Sequence, residues 1–476
     1  MDTHQPGGDG SPHWPAPTAA GPVDAHLTLP GSKSMTNRAL VLAALADGPG
    51  VIVNPLRARD TLLMARALTA LGASVGEEGV AAAGRSGQAA PGAARQMPGA
   101  VPARQERWRV TPGQPAGDAR VDVGNAGTVM RFVPPVAALT AVTVEFNGDP
   151  RASQRPVAPI LAALRQLGAV IDDGGRGAIP FTVRGNGSLA GGVVTLDASA
   201  SSQFVSGLLL AAPRYDKGVE VRHRGGRVPS APHIAMTIQM LRDAGAEVEA
   251  ACRRPDEPAR PGQRGDDDAA DTWRVHPGVI KPRTQIVEPD VVNAVPFLAA
   301  ALVTGGSVTI SDWPRQTSQP AGQILDLLTR IGARCATSAS GLTVTGTGTV
   351  HGITADLRDV PEVASVLTAV AALADSPSWL TGIAHIRQQE TDRLAALATE
   401  INALGGGVTE LADGLGIEPR PLHGGVFASY DDHRLVMAAA VLGLAVPGIE
   451  VQHAATVGKT FPEFTSLWSA MVKGAP

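Results

Sequence analysis

Leu71-Gly72-Ala73, Leu167-Gly168-Ala169, Ala244-Gly245-Ala246, Ile331-Gly332-Ala333 and Leu404-Gly405-Gly406 repeat one short pattern. Each follows a helical apolar pattern and puts Gly just past the helix end, where a left-handed residue without a Cβ closes the last turn. Successive glycines lie 96, 77, 87 and 73 residues apart. The two long intervals contain residues 77–107 and 253–271, which are rich in Gly, Pro, Arg or Asp and poor in large apolar side chains. Without those 31 and 19 residues the intervals shrink to 65 and 68, so a unit of 65–77 residues recurs.

Each unit pairs helices with short strands rich in Val, Thr and Gly, such as Gly192-Val193-Val194-Thr195-Leu196 and Gly306-Ser307-Val308-Thr309-Ile310. Stacked copies of such a unit bury either their helices or their sheets, and the period does not choose. The alternative is an ordinary α/β protein in which small-residue turns recur because Ala and Gly are common. The two odd segments cannot offset their ordering entropy by burial and are expected to be disordered or surface loops. Trp108-Arg109-Val110 and Trp273-Arg274-Val275 come after them, as though a strand resumes at equivalent places in two units.

Composition narrows the function. The 476 residues are 44% apolar, enough for more than one large core. Only 18% are charged and the net charge is −4, which argues against a nucleic-acid binder. Any anion site must then be local. Five residues are Lys (Lys33, Lys217, Lys281, Lys459 and Lys473), so a Lys inside a motif stands out. Cys252 and Cys335 have no zinc-ligand spacing and read as free thiols of a reducing compartment. Residues 1–21 carry neither a basic nor an apolar signal region and are expected to be a disordered lead-in. No apolar stretch reads as a membrane span, and a cytoplasmic location is expected.

Six motifs place polar or cationic residues beside helix starts, where free N–H groups and the helix dipole favour anions. They are Leu29-Pro30-Gly31-Ser32-Lys33-Ser34-Met35-Thr36-Asn37-Arg38, Gly124-Asn125-Ala126-Gly127-Thr128-Val129-Met130-Arg131-Phe132, and Ser199-Ala200-Ser201-Ser202-Gln203-Phe204. The others are Gln389-Glu390-Thr391-Asp392-Arg393, Asp431-Asp432-His433-Arg434 and Gly458-Lys459-Thr460-Phe461-Pro462. Gly127 would let backbone approach a ligand, and Thr128 could cap the helix after it. Glu390 and Arg393 could form an i, i+3 helix pair or share a site. Each motif alone is equally readable as a capped helix with no ligand.

Together, and in this order, these segments with Asp149-Pro150-Arg151-Ala152-Ser153-Gln154-Arg155-Pro156 resemble the enolpyruvyl transferase family, most closely the EPSP synthases. The resemblance runs from about residue 24 to about residue 470. It implies an α/β fold of two similar domains, each of three helix–strand units with buried helices and outer sheets, an inside-out α/β barrel-like arrangement. Implied domains are 32–286 and 287–476, the second also taking a strand from residues 1–31. The implied reaction transfers the enolpyruvyl group of phosphoenolpyruvate to the 5-hydroxyl of shikimate 3-phosphate and releases phosphate. No cofactor, metal, nucleic acid or membrane is called for, and a monomer is expected.

Carried over position by position, the resemblance implies that Lys33 touches both substrates and that Ser34 and Arg38 hold the shikimate carboxylate. Ser201, Ser202 and Ser230 would cradle its phosphate, with Gln203 between the substrates. Asn125, Gly127, Arg155, Arg393, Arg434 and Lys459 would hold phosphoenolpyruvate. Glu362 and Glu390 would be the paired catalytic carboxylates, with Lys33 beside them. Four positions depart from the commoner family pattern: Glu362 for Asp, Gln389 for Lys, His385 for Asn, and Phe132 for Pro. His385 and Gln389 remain expected shikimate 3-phosphate neighbours. The related UDP-N-acetylglucosamine enolpyruvyl transferases are the enzyme alternative, but they place a reactive Cys in a mobile loop and neither Cys here fits. A catalytically dead repeat protein would have scattered these charged residues.

Overall fold

A computed structural model describes residues 13–78, 106–251 and 271–474. The five turn glycines all lie in the left-handed region, with φ between 88° and 121°. They end helices Arg59–Ala70, Ala158–Gln166, Ala231–Asp243, Ala321–Ile331 and Arg393–Ala403, and a strand comes after each. A sixth helix, Phe464–Val472, leads to Gly474 at φ 67°. The repeat therefore has six copies.

The second unit shows the plan: strand Ala119–Asp122, helix Gly127–Ala137, strand Thr143–Asn147, helix Ala158–Gln166, then strands Val170–Asp172 and Phe181–Arg184. The first two strands pair in parallel, and the last strand lies antiparallel between Thr143–Asn147 and Val170–Asp172. Trp108 and Trp273 occupy the equivalent central antiparallel strand of two other sheets. The sheets stay open, each of three or four strands.

Burial chooses between helices inside and sheets inside. Every residue of Gly127–Ala137 is buried, as are Phe204–Ala211, Ala364–Ala372 and most of Val291–Thr304 and His433–Ala445. These apolar helices pack on one another, Gly127–Ala137 on Gln203–Ala211 and His433–Ala445 on both Ala364–Ala372 and Val291–Thr304. Strand residues alternate buried and exposed instead, as in Thr143–Asn147. A helix apolar all round is stable only when wrapped on all sides, and the outer sheets supply the wrapping.

Two apolar cores form. One runs from Met35 to Val287; the other combines Ala16, Val23, Leu27 and Leu29 with residues 291–471. Two strands are exchanged between these lobes. Thr284–Ile286 completes the sheet of Gly50–Val53, and Asp24–Leu27 completes the sheet of Ser307–Ile310. The two crossing segments touch at a bridge between Gly31 and Pro289. A Cβ on Gly31 would stand 2.0 Å from the Asn54 carbonyl oxygen, so no other residue fits that crossing without moving backbone.

Three expectations change. The lead-in is docked from residue 13: Trp14–Pro15 pairs antiparallel with Ile449–Gln452, Ala16 is buried, and Trp14 meets Phe464 edge-on. It fills the place that the closing hairpin occupies in the other units, and that vacancy is what orders so Pro-rich a segment. Residues 1–12 lie outside the described residues. The first odd segment is shorter than 77–107, because Glu77 and Arg107 are paired strand residues; 79–105 lie outside the described residues, as do 252–270 and hence Cys252. Thr128 caps nothing: its hydroxyl accepts from the Asn37 amide at 2.8 Å. No described helix is long and apolar enough to cross a membrane.

Candidate active site

The helix starts converge on a cavity of about 90 Å³ between the lobes. Lobe one contributes Ser32, Lys33, Ser34, Gly127, Thr128, Arg155, Gln203, His233 and Met236 to its lining. Lobe two contributes Asp290, Val292, Gln319, Pro320, Glu362, Gln389, Glu390, Arg393, His433 and Arg434. An open groove of about 1430 Å³ shares Gln319 and Pro320 with this cavity and leads outward past Trp313, Arg315 and Arg227. Although far larger, the groove is not where the converging charges lie.

Helix caps fix the cationic side chains. Ser32 caps helix Lys33–Ala44, which starts Lys33 at the cavity wall; the Lys33 N–H donates to Asp290 (3.0 Å) and its ammonium lies 3.4 Å from Asp60. Asp392 caps Arg393–Ala403 and Asp432 caps His433–Ala445. Asp432 also takes a two-point contact from Arg393, at 2.7 and 3.1 Å. One carboxylate thus satisfies a helix end and locks a guanidinium.

Glu390 is the hub. Its Oε1 meets Lys459 Nζ at 2.5 Å and Arg155 Nη1 at 3.6 Å, while Oε2 accepts from Arg393 at 2.9 Å. Glu390 precedes helix Arg393–Ala403, so its contact with Arg393 is not the helix-face pair the spacing suggested. Burial pushes its pKa up, but Lys459, Arg155 and Arg393 outweigh that and hold it well below the usual carboxylate range. Asn125 ties the loop in from lobe one: its carbonyl accepts from Arg155 (2.6 Å) and from Lys459 (2.9 Å). A Cβ on Gly127 would come within 2.8–3.0 Å of Arg131, Arg155 and Gln203, so Gly there lets the cations close in.

The buried arginines fall into two kinds. Arg38 gives its donors to Thr237 (2.7 Å), the Ser34 carbonyl (3.0 Å), the His233 carbonyl (3.0 Å) and Ser206 (3.3 Å), and stacks on Phe132 at 5.2 Å. Arg131 is likewise used up by Pro156, Gly127 and Gln203. Burial lowers both to about 9, with repulsion from Arg155 adding to it at Arg131. Arg434 differs. Among the described residues its guanidinium has no carboxylate within 4.0 Å, it meets only Met437 Sδ (3.8 Å), and its Nε has no hydrogen-bond partner. A buried cation left this way is costly unless an anion enters.

Glu362 stands in the turn Pro361–Val363 and reaches back to lobe one, where Ser230 donates to its Oε1 at 3.3 Å. Burial raises its pKa, but His233, Arg434 and His385 bring it below the usual range. Other expected residues are less central. Arg38, Asn125, Ser201, Ser202, Ser230, His385 and Lys459 do not line the cavity, although Ser230 and Lys459 touch carboxylates that do; Ser201 accepts from the Gln203 N–H (3.2 Å), and among the described residues His385 keeps a buried, unpartnered Nε2. Gln389 lines it and accepts from Arg393. The sequence reading missed His233, Asp290, Gln319, Arg131 and His433. Arg131 and His433 sit inside quoted motifs; His233 had only its place beside Ser230 to mark it. Cys335 is half-buried in strand Arg334–Ser338, where burial raises its thiol, and it does not line the cavity.

A family model described as EPSP synthase (3-phosphoshikimate 1-carboxyvinyltransferase) matches residues 17–103 and 92–468. The chain belongs to the EPSP synthase family. It is an enolpyruvyl transferase of the shikimate pathway to aromatic amino acids, acting on small molecules. The fold is also that of solved structures. The 2.37 Å structure of the EPSP synthase from Acinetobacter baumannii superposes with a TM-score of 0.72 at 23% identity, over 97% of this chain and 98% of that one. A second structure of the EPSP synthase from the same organism gives 0.70 at 23%, over 95% and 97%.

Proposed function

We propose that the cavity is where phosphoenolpyruvate and shikimate 3-phosphate meet, and that the carboxylates Glu362 and Glu390 move the protons of the reaction. The observation that carries this reading is Arg434, a buried guanidinium that no carboxylate among the described residues pairs directly and that Asp290, Glu362 and Asp432 offset only from a distance, set among Lys33, Arg155, Arg393 and Lys459. Phosphoenolpyruvate brings both a phosphate and a carboxylate, and such a cluster suits it. Asn125, Gly127 and Gln203 would complete that subsite. Shikimate 3-phosphate would lie towards Lys33, Ser34, Ser230, Gln389 and Glu362, with Ser201, Ser202 and His385 near it and Arg38 holding the wall behind.

In this reading Glu362 accepts the proton of the 5-hydroxyl as its oxygen bonds to C2 of phosphoenolpyruvate. Glu390 delivers a proton to the methylene carbon, giving a tetrahedral intermediate. A methyl proton then returns to Glu390 while the C2–O bond to phosphate breaks, and the phosphate leaves with the proton that Glu362 took from the hydroxyl, which restores both carboxylates. The ionised state of unliganded Glu390 is compatible with that duty. Anionic substrate shares the same cations, weakens their hold on Glu390, and raises its proton affinity. Residues 32–286 and 287–476, the latter with the N-terminal strand, act as the two closing domains of a cytoplasmic monomer. The test is phosphate release with both substrates and with each alone. Release should require both, and release from phosphoenolpyruvate alone would refute the reading.

A further inference from the structure

Glu362 is a long side chain whose carboxylate, several torsions from the backbone, must be fixed by its neighbours. Two groups from lobe one hold it by one oxygen. Ser230 Oγ donates to Oε1 at 3.3 Å, and His233 Nδ1 lies 3.6 Å from the same atom. The other oxygen, Oε2, is buried and has no hydrogen-bond partner among the described residues. The backbone that carries the imidazole is anchored: the His233 carbonyl accepts from Arg38 (3.0 Å) and Thr237 (2.9 Å), and the His233 main-chain N–H donates to the Ser230 carbonyl (2.9 Å).

We propose that His233 is a positioning residue for Glu362, which it and Ser230 hold by Oε1 so that Oε2 is presented to the acceptor hydroxyl. This rests on the reading of Glu362 as the acceptor of the hydroxyl proton. Charged and titratable groups facing the imidazole are Glu362, Arg38, Asp290 and Lys33; those facing Glu362 are His233, Arg434 and His385. Burial favours the neutral imidazole, and the tautomer with its proton on Nδ1 turns an N–H towards Oε1 across the 3.6 Å gap, an orienting contact longer than a hydrogen bond. Because Ser230 and His233 belong to one lobe and Glu362 to the other, the carboxylate is oriented only when the lobes meet. The Ser230 N–H donates to the Arg358 carbonyl (2.8 Å) at the same seam.

The experiment measures phosphate release by the full chain in five forms: native, His233→Leu, His233→Asn, Glu362→Gln, and His233→Leu combined with Glu362→Gln. Asn keeps an N–H donor close to the Nδ1 position; Leu removes it. His233→Leu should lower kcat about tenfold, less than the loss of a full hydrogen bond to a charged group, with the KM of phosphoenolpyruvate within about threefold. His233→Asn should stay within about threefold of native kcat. In the Glu362→Gln background His233→Leu should cost nothing further, because a residue acting through Glu362 has nothing left to position. Equal loss in the Leu and Asn variants, or the same loss in both backgrounds, would overturn the proposal. A native kcat in Glu362→Gln would sink the reading of Glu362 and this inference with it. An impaired Glu362→Gln beside a fully active His233→Leu would sink this inference alone.

Discussion

Replacing Glu390 by Gln keeps the side-chain shape and removes the one negative charge that three cations share. The carboxylate sits 2.5 Å from Lys459, 2.9 Å from Arg393 and 3.6 Å from Arg155. Arg393 keeps Asp432 in the variant, but Lys459 and Arg155 lose their counter-charge inside a buried site. Removing one partner of a buried pair costs about 3–5 kcal/mol. At an unfolding entropy of about 2.1 cal/mol/K per residue, a lobe of roughly 200 residues loses about 7–12 °C in Tm. Millimolar phosphoenolpyruvate should return part of that loss, because its negative charges replace the missing one. Turnover should fall about 10²–10⁴-fold, the range for a positioned acid or base. Differential scanning calorimetry with and without phosphoenolpyruvate reads the first effect, and phosphate release the second. An unchanged Tm with turnover within about threefold of native would refute both the hub and its catalytic duty. A large Tm loss with native turnover would leave Glu390 as structural alone.

Arg434→Met should weaken phosphoenolpyruvate binding at least about 100-fold yet raise Tm, because it removes a desolvated cation that no described carboxylate pairs directly and that Asp290, Glu362 and Asp432 offset only from a distance; a lower Tm measured by fluorimetry would contradict this. Gly127→Ala should raise the KM of phosphoenolpyruvate about tenfold with a smaller effect on shikimate 3-phosphate, since its methyl meets Arg155 and Gln203; equal effects on both in steady-state kinetics would place the crowding elsewhere. Stability should also fall with acid. Burial holds His433, His233 and His385 below their ordinary pKa, so the folded protein binds fewer protons than the unfolded chain. Their contribution is present above about pH 6.5 and is lost as pH falls below it. His433→Gln should make the fall in Tm between about pH 7.5 and about pH 5.5 shallower, and an unaltered slope would show that His433 does not titrate as its burial requires.

What the sequence disclosed and what it hid divide along a physical line. The turn glycines were legible because left-handed backbone is a strict local demand, and a strict demand leaves one residue type behind. Cap residues next to cations were legible for the same reason, which is why Lys33, Gln203, Glu390, Arg393 and Arg434 reach one cavity from separate motifs. The sixth unit escaped because Gly474 comes after Val472-Lys473 rather than a small-residue pattern. Trp14–Pro15 escaped because nothing in Pro-rich text announces a strand; its order is imposed by the open edge of Ile449–Gln452. His233 escaped because its partner is Glu362 in the other lobe, and no spacing records such a meeting. Arg38 and Arg434 looked alike as sequence. Only the acceptors packed around each show that one is a wall and the other an open charge.

That contrast bears on why the cavity lies where it does. A stable core leaves few polar atoms without partners, yet here Glu362 Oε2, His433 Nδ1, Arg434 Nε, Arg155 Nε and Asp60 Oδ1 are all buried and without a hydrogen-bond partner among the described residues. Each is supplied by a helix start or the loop leading to one, and each lobe brings some of them. Neither lobe can satisfy the set alone, because the exchanged strands and the tight crossing at Gly31 hold the two rows of helix ends face to face. Bringing the lobes together without ligand gathers Lys33, Arg155, Arg393, Arg434 and Lys459 at a cost in repulsion and desolvation. Anionic substrates offset that cost. On the proposed reading, closure and substrate binding are one equilibrium: whatever removes an unpartnered cation should favour closure of the empty enzyme and weaken its response to substrate. Arg434→Met is the cleanest case, and small-angle scattering with and without phosphoenolpyruvate would show it as a smaller change in radius of gyration than the native protein gives.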